Sequence, residues 1–252
     1  MLDLLLKGGV LHQPNGSAPL PAAIGLLGGK ISFVGDPVDA PAAREVIELS
    51  GQLITPGFID SHNHLLLGFD PEAVNLQDLV DLASVRSRMK EFADSRPGLE
   101  WICGENANYS VVEGRRPNAG DLAGISNRPI FITTYDQHSV WLNRAAIRAL
   151  GIEPGVVLSW GRPEFDEVTN EATGWVTDFY TSAMTTIGLK ALQRDIPMYS
   201  PERRYRKLVS SMEMATRFGI TTVVEPQVPM AELELFHRAL KEGKLTSGLR
   251  RS

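Results

Sequence analysis

The chain has 252 residues, of which 43% are hydrophobic and 22% charged, a balance ordinary for a soluble enzyme with one or two domains and a substantial core. A formal net charge of −5, with Lys and Arg scattered, argues against a nucleic-acid partner, and no run approaches the roughly 20 apolar residues that span a bilayer. The single cysteine, Cys103, excludes an intramolecular disulfide and fits a reducing compartment. Met1–Gly9 lacks the basic flank and long apolar core of a signal peptide, so the expected location is the cytoplasm.

In chain order, residues up to about Gly51 read as short strands broken by Gly and Pro: Leu2–Leu6, Gly9–His12, Ala22–Leu27, Lys30–Val34 and Arg44–Leu49. Gly28-Gly29 marks a hairpin turn, since glycine takes positive φ without steric cost. This is a small β domain, and His12 within it reads as a half-exposed strand residue.

The stretch Pro56-Gly57-Phe58-Ile59-Asp60-Ser61-His62-Asn63-His64 follows. Its apolar part predicts a buried strand, along which residues two apart share a face, so the imidazoles of His62 and His64 converge. Two neutral imidazoles are half of a site for a divalent transition metal. Asp60 would point to the opposite face, in a structural or supporting part.

Beyond His64 the pattern turns to mixed α/β. Leu82, Val85, Met89, Phe92 and Ala93 recur at helical spacing, ended by Arg96-Pro97-Gly98. Trp101–Gly104 and Pro129–Tyr135 predict strands, with Cys103 a buried, inert thiol. Ser139–Leu150 predicts a helix closed by Gly151. Asp136 and His138 precede it, where His138 could bind substrate or assist proton transfer with Asp136 orienting it, or both could cap that helix. Glu164–Thr169 and Gly174–Asp178 suggest two strands about a turn.

In the last third, Ser200 and Pro201 open a helix whose apolar face is Tyr205, Leu208, Val209, Met212 and Ala215, and Gly219 ends it. The basic cluster Arg203-Arg204-Tyr205-Arg206-Lys207 on this helix reads as a solvated face. A strand Ile220–Glu225 and a helix Met230–Leu240 follow, and His237 on the latter reads as surface or packing. A helix followed by Gly-Ile-Thr-Thr-Val-Val-Glu is how a βα barrel delivers a carboxylate to its C-terminal rim, which makes Glu225 site-facing unless Pro226 merely ends the strand.

Taken together, Gly28–Gly35, Pro56–His64, Trp101–Gly104, Asp136–Asn143, Thr173–Asp178 and Gly219–Val223 resemble the metal-dependent amidohydrolase superfamily, and within it amidohydrolase family 3, the YtcJ-like and N-substituted formamide deformylase-like group. The resemblance implies an α/β fold: an N-terminal β-sandwich part of a composite domain over 1–54, then a TIM-barrel domain over 55–252 carrying a large α+β insertion at about 70–200. It also implies one or two divalent ions, usually zinc, that activate water against a non-peptide C–N bond of a small amide-type substrate. A carboxylate would shuttle the proton to the departing nitrogen. His62 and His64 match the family's ligands on the first barrel strand. Asp178 matches an acidic position of the Thr-Gly motif that either approaches the metal or is solvated.

Family members run to about twice this length, and 27 residues follow Glu225. The expectation is therefore an incomplete barrel with its first two strands, ending in the polar tail Lys244–Ser252. Two imidazoles and one doubtful carboxylate fall short of the three protein ligands of a catalytic zinc. The expected function is a hydrolase fragment inactive alone. The alternatives are a non-catalytic scaffold or binding module, and half of a split enzyme that pairs with itself or a complementing chain.

Overall fold

The computed structural model divides into two units, Met1–Phe58 and Ile59–Ser252. The structure describes residues 1–68, 70–245 and 248–251. In the first unit β1 (Leu2–Leu11) pairs antiparallel with β2 (Leu20–Leu27), which pairs with β3 (Lys30–Gly35). On the other side β4 (Ala43–Glu48) and β5 (Leu53–Ile54) run parallel to β1. The two strands expected over Leu2–His12 are one, with a register shift between Leu6 and Gly9 that Gly8 permits at φ 75°. Gly28 and Gly29, at φ 58° and 74°, make the β2–β3 turn. Leu2, Leu5 and Ala23 form a small core. The described residues of this unit form one five-stranded sheet, without a second sheet packed on it.

The second unit carries two sheets. The larger has the order β11-β12-β10-β9-β8-β7 and comprises β7 (Val74–Asn75), β8 (Ile102–Ala107), β9 (Ile130–Thr134), β10 (Val140–Leu142), β11 (Arg162–Phe165) and β12 (Ala172–Thr177). Its central strands β9 and β10 are buried throughout because both faces are covered. Cys103, Phe131, Val140 and Leu142 enter one buried cluster, while Ile102, Ile130, Ile132 and Trp141 enter the other. The first cluster also takes residues of α2 (Arg144–Ala149), α3 (Phe179–Ala183) and α4 (Thr186–Asp195). The second cluster takes Val85, Met89 and Ala93 of α1 (Leu82–Ser95), whose N-terminus is capped by Asp81 accepting from the Ser84 amide at 2.8 Å.

The helix expected over Ser139–Leu150 is a correction: residues 140–142 are strand β10, and only Arg144–Ala149 is helical. The run Val140-Trp141-Leu142 is buried on both faces, and an uninterrupted apolar run carries no period that distinguishes strand from helix. Asn143 caps α2 by accepting from the Ala146 amide at 2.9 Å.

The smaller sheet has the order β14-β13-β6, from β6 (Phe58–Asp60), β13 (Ile220–Glu225) and β14 (Gly248–Arg251). Between them lie α5 (Pro201–Arg217) and α6 (Met230–Lys241). Tyr205, Leu208 and Met212 of α5 pack with Leu65, Leu66, Val223, Leu235 and Phe236. Gly219, at φ 75°, ends the helix as expected, whereas Ser200 occupies the N-cap position without a side-chain hydrogen bond.

Three further expectations are overturned. Phe58 and Ile59, read as buried, are 60% and 69% exposed. The C-terminal stretch read as a polar tail beyond the last strand contains β14, parallel to β13, because a strand pairs through its backbone and requires no apolar run. Finally, Arg203, Arg204 and Lys207 of the supposedly solvated basic face are buried in ion pairs with Asp70, Glu232 and Glu105. Their partners lie on other segments of the chain, so the helix alone could not reveal them. Among the described residues, no helix is long and apolar enough to cross a membrane.

Candidate functional site

Strand β6 stops at Asp60, so His62 and His64 lie in the segment after it and not on the strand itself. Asp60 shapes that segment: its carboxylate accepts from the Asn63 side chain at 2.8 Å and from the His62 amide at 3.2 Å. The same two bonds hold its carboxyl below the usual aspartate range. The Asn63 amide donates to the Val224 carbonyl at 3.1 Å, which ties the segment to β13. The two imidazoles come together edge to face, with ring centroids 5.3 Å apart.

Glu225, at the end of β13, organises His64. Its Oε1 lies 2.9 Å from His64 Nδ1, and its Oε2 accepts the Leu65 amide at 2.9 Å. Glu225 is buried, and both its oxygens are occupied by the residue pair that begins the one-turn helix Leu65–Leu67. Facing a carboxylate, Nδ1 is the nitrogen engaged by this bond, and Nε2 takes no part in it. Here the carboxylate holds an imidazole by its far nitrogen.

His138 is exposed in the tight connection between β9 and β10 and comes near the pair through one ring, Tyr180 on α3. The Tyr180 ring centroid lies 6.5 Å from that of His64 and 6.4 Å from that of His138. Burial, with Glu225 and Glu232 nearby, pushes the Tyr180 phenol up, so it stays a neutral donor. Tyr180, Glu225, His64, Gln227, Arg204 and Glu232 line one small cleft.

Asp136 does not orient the His138 ring, and no helix starts at Ser139 for it to cap. Its carboxylate accepts from the His138 amide at 3.0 Å, from Thr134 Oγ1 at 2.7 Å and from the Tyr109 hydroxyl at 2.8 and 2.9 Å. Burial raises its pKa, and these donors more than reverse that, leaving it below the usual range. It fixes the turn in which Gln137 takes φ 61°. Asp178 stands at the N-cap of α3 with φ 56°, exposed and paired with Arg162 at 3.2 Å. Among the described residues no three His, Cys, Asp or Glu side chains gather to hold a metal ion, so Asp178 is not brought into a ligand set with His62 and His64.

Sequence reasoning missed Tyr180, Arg204 and Glu232. Tyr180 directly follows the Thr-Gly-x-x-x-Asp motif and Phe179, and nothing in its spacing marks it. Arg204 was visible as part of a basic cluster that invited a surface reading.

The sequence profile of the amidohydrolase family matches residues 45–249. The chain belongs to the amidohydrolase family.

Members of this family include N-substituted formamide deformylase of Arthrobacter pascens, 27% identical over 97% of this chain and 46% of that protein. YtcJ of Bacillus subtilis is 30% identical over 53% of this chain and 26% of its own length. Among solved structures, a metal-dependent hydrolase from Pyrococcus furiosus superposes with a TM-score of 0.68 at 21% identity, covering 98% of this chain and 49% of that one. This family chain thus spans about half the length of the relatives it matches.

Proposed function

We propose that this amidohydrolase-family chain carries the first ligands of a metal-dependent hydrolase acting on non-peptide C–N bonds of small amide-type substrates. N-substituted formamides are the first class to try, given the similarity to a protein named N-substituted formamide deformylase. In this reading β6, β13 and β14 with α5 and α6 begin a TIM barrel, the block at about 70–200 is an insertion, and residues 1–54 are part of a composite β domain. The carrying observation is the His62–His64 contact with Glu225 on the Nδ1 of His64.

The donor set fits one divalent ion as part of a site, with zinc the first candidate for nitrogen ligands. When bound, such an ion would polarise the scissile carbonyl and activate water. His62 and His64 would hold it, and Glu225 would keep His64 oriented and deprotonated at Nε2. Tyr180, a neutral phenol beside His64, would donate a hydrogen bond to the substrate carbonyl. His138 would border the substrate on the far side of Tyr180 and could pass a proton to the leaving nitrogen. Asp178 is the weakest member of the proposed set, because Arg162 pairs with it.

Two imidazoles need at least one further ligand, which this reading assigns to residues outside those described. A protein that carries them would hydrolyse amides, and this chain alone would bind metal weakly and turn over little. The test is titration of the purified chain with ZnCl2 by calorimetry, alongside assay of N-substituted formamides. Binding that disappears in His62→Ala/His64→Ala supports the reading. Absence of binding in the unchanged chain at millimolar zinc sinks it and favours the second reading, a non-catalytic scaffold, for which the lack of a three-residue ligand cluster among the described residues speaks.

A further inference from the structure

The first turns of α5 bury three cations. Arg203 Nε donates to Asp70 at 2.9 Å, Lys207 pairs with Glu105, and Arg204 Nε donates to Glu232 Oε1 at 2.7 Å. A buried ion pair is seldom retained for stability alone, because desolvation offsets much of the attraction. Both arginines also donate to a backbone carbonyl, Arg203 Nη2 to Glu72 at 2.8 Å and Arg204 Nη1 to Leu66 at 2.9 Å, and what sets Arg204 apart is which carbonyl it holds. Leu66 sits two residues after His64, in the one-turn helix for which His64 is the N-cap and whose Leu67 amide returns to the His64 carbonyl at 2.8 Å.

Four successive residues are therefore held from outside. The Asn63 amide is held by Val224, the His64 ring and the Leu65 amide by Glu225, and the Leu66 carbonyl by Arg204. Glu225 alone fixes the ring only if the backbone beneath it stays in register. Arg204 supplies that register from α5, and Glu232, from α6, holds the guanidinium in the plane from which Nη1 reaches Leu66. The planar fork of arginine suits this two-sided grip, whereas an ammonium would have to divide itself between the carboxylate and the carbonyl.

We infer that the Arg204–Glu232 pair is a positioning device for His64, locking the turn that presents its Nε2 outward. This deepens the proposed function and rests on His64 being a metal ligand. Arg204 and Glu232 act through the turn and through Glu225, without touching the ion. By contrast, Lys207–Glu105 ties α5 to β8 through a bond between its own two side chains.

The experiment reads His64 directly by 15N–1H NMR of the imidazole nitrogens in the full chain, with ZnCl2 affinity as a second readout. In the unchanged protein His64 should show one tautomer, protonated at Nδ1. Arg204→Met/Glu232→Leu removes both charges together, so no ion is left unpaired, and circular dichroism checks the fold. The expected result is a mixed or exchange-broadened His64 and zinc binding weakened about tenfold. Arg204→Lys keeps the pairing with Glu232 and decides the question in the same way if the double variant does not fold. Lys207→Met/Glu105→Leu should leave the His64 signals sharp. A single unchanged His64 tautomer with unchanged zinc affinity in a folded Arg204 variant overturns the inference, as does an equal disturbance in the Lys207–Glu105 variant. If the unchanged chain binds no zinc, the metal reading fails, and the tautomer measurement still judges the positioning role.

Discussion

Nδ1 of His64 lies 2.9 Å from Oε1 of Glu225, across 161 residues of sequence, while the other oxygen of the same carboxylate takes the Leu65 amide. One buried side chain thus sets both a ring and the backbone next to it. Glu225→Gln should weaken zinc binding by the histidine pair about 10–100-fold, since a carboxamide cannot match the carboxylate as acceptor for the ring proton. Calorimetric titration of the variant checks this. Glu225→Ala should in addition destabilise the second unit by about 1–3 kcal/mol, from the buried Leu65 amide left without a partner.

Arg203 and Asp70 are both almost fully buried and 2.9 Å apart. Asp70→Ala should cost about 3–5 kcal/mol, because it leaves a buried guanidinium with only the Glu72 carbonyl at 2.8 Å and the Glu72 carboxylate at 3.8 Å, whereas Asp70→Leu/Arg203→Met should recover most of that loss. Urea unfolding of the three proteins tests the pair. Equal destabilisation by the single and double changes would show that the charge itself is not the issue.

Burial pushes the Cys103 thiol up from 9.0 to about 12. A group whose folded pKa is raised contributes its full stability below the unfolded value, and loses it as pH climbs through the folded one. Stability of the wild-type chain relative to Cys103→Ala should therefore be flat up to about pH 9. It should then fall between 9 and 12 by up to about 1.4 kcal/mol per pH unit. Denaturant curves at pH 8 and 10.5 are enough, and an unchanged difference would contradict the assignment. The same thiol should resist a disulfide reagent at pH 8 until the chain unfolds.

Gly174, in the Thr-Gly motif, has φ 91°, and a Cβ there would run into the Leu142 carbonyl and Ala119. Gly151 has φ 61° and open space around it. Gly151→Ala should cost about 1 kcal/mol of backbone strain, and Gly174→Ala clearly more, because steric overlap with β10 adds to it. Comparing thermal midpoints of the two variants separates the contributions.

The parts of the fold set by local rules could be read from the sequence. Ile220–Glu225 forms the strand expected of it, Gly28-Gly29 makes its turn, and α1 runs from its Asp81 cap to just before Pro97. What could not be read depends on partners far along the chain. Val140-Trp141-Leu142 is a strand because two layers of side chains cover it, and Arg204 is buried because Glu232 and Leu66 meet it. At the candidate site, the histidine pair and Glu225 were visible as residues at strand ends, but the bond between His64 and Glu225 was not. Asp136 was read either as orienting His138 or as capping a helix from Ser139, and its carboxylate instead serves the turn, where the Tyr109 and Thr134 hydroxyls and the His138 amide donate to it.

The amide of Phe179 donates to the His138 carbonyl at 3.0 Å, and the Phe179 ring is sealed among Phe131, Trp160 and Tyr199. The backbone of His138 is therefore tied to the residue before Tyr180, and that residue is anchored in the core. Hydrogen exchange at that single amide becomes a local clock: its rate counts how often the backbone bond between the β9–β10 connection and the start of α3 opens.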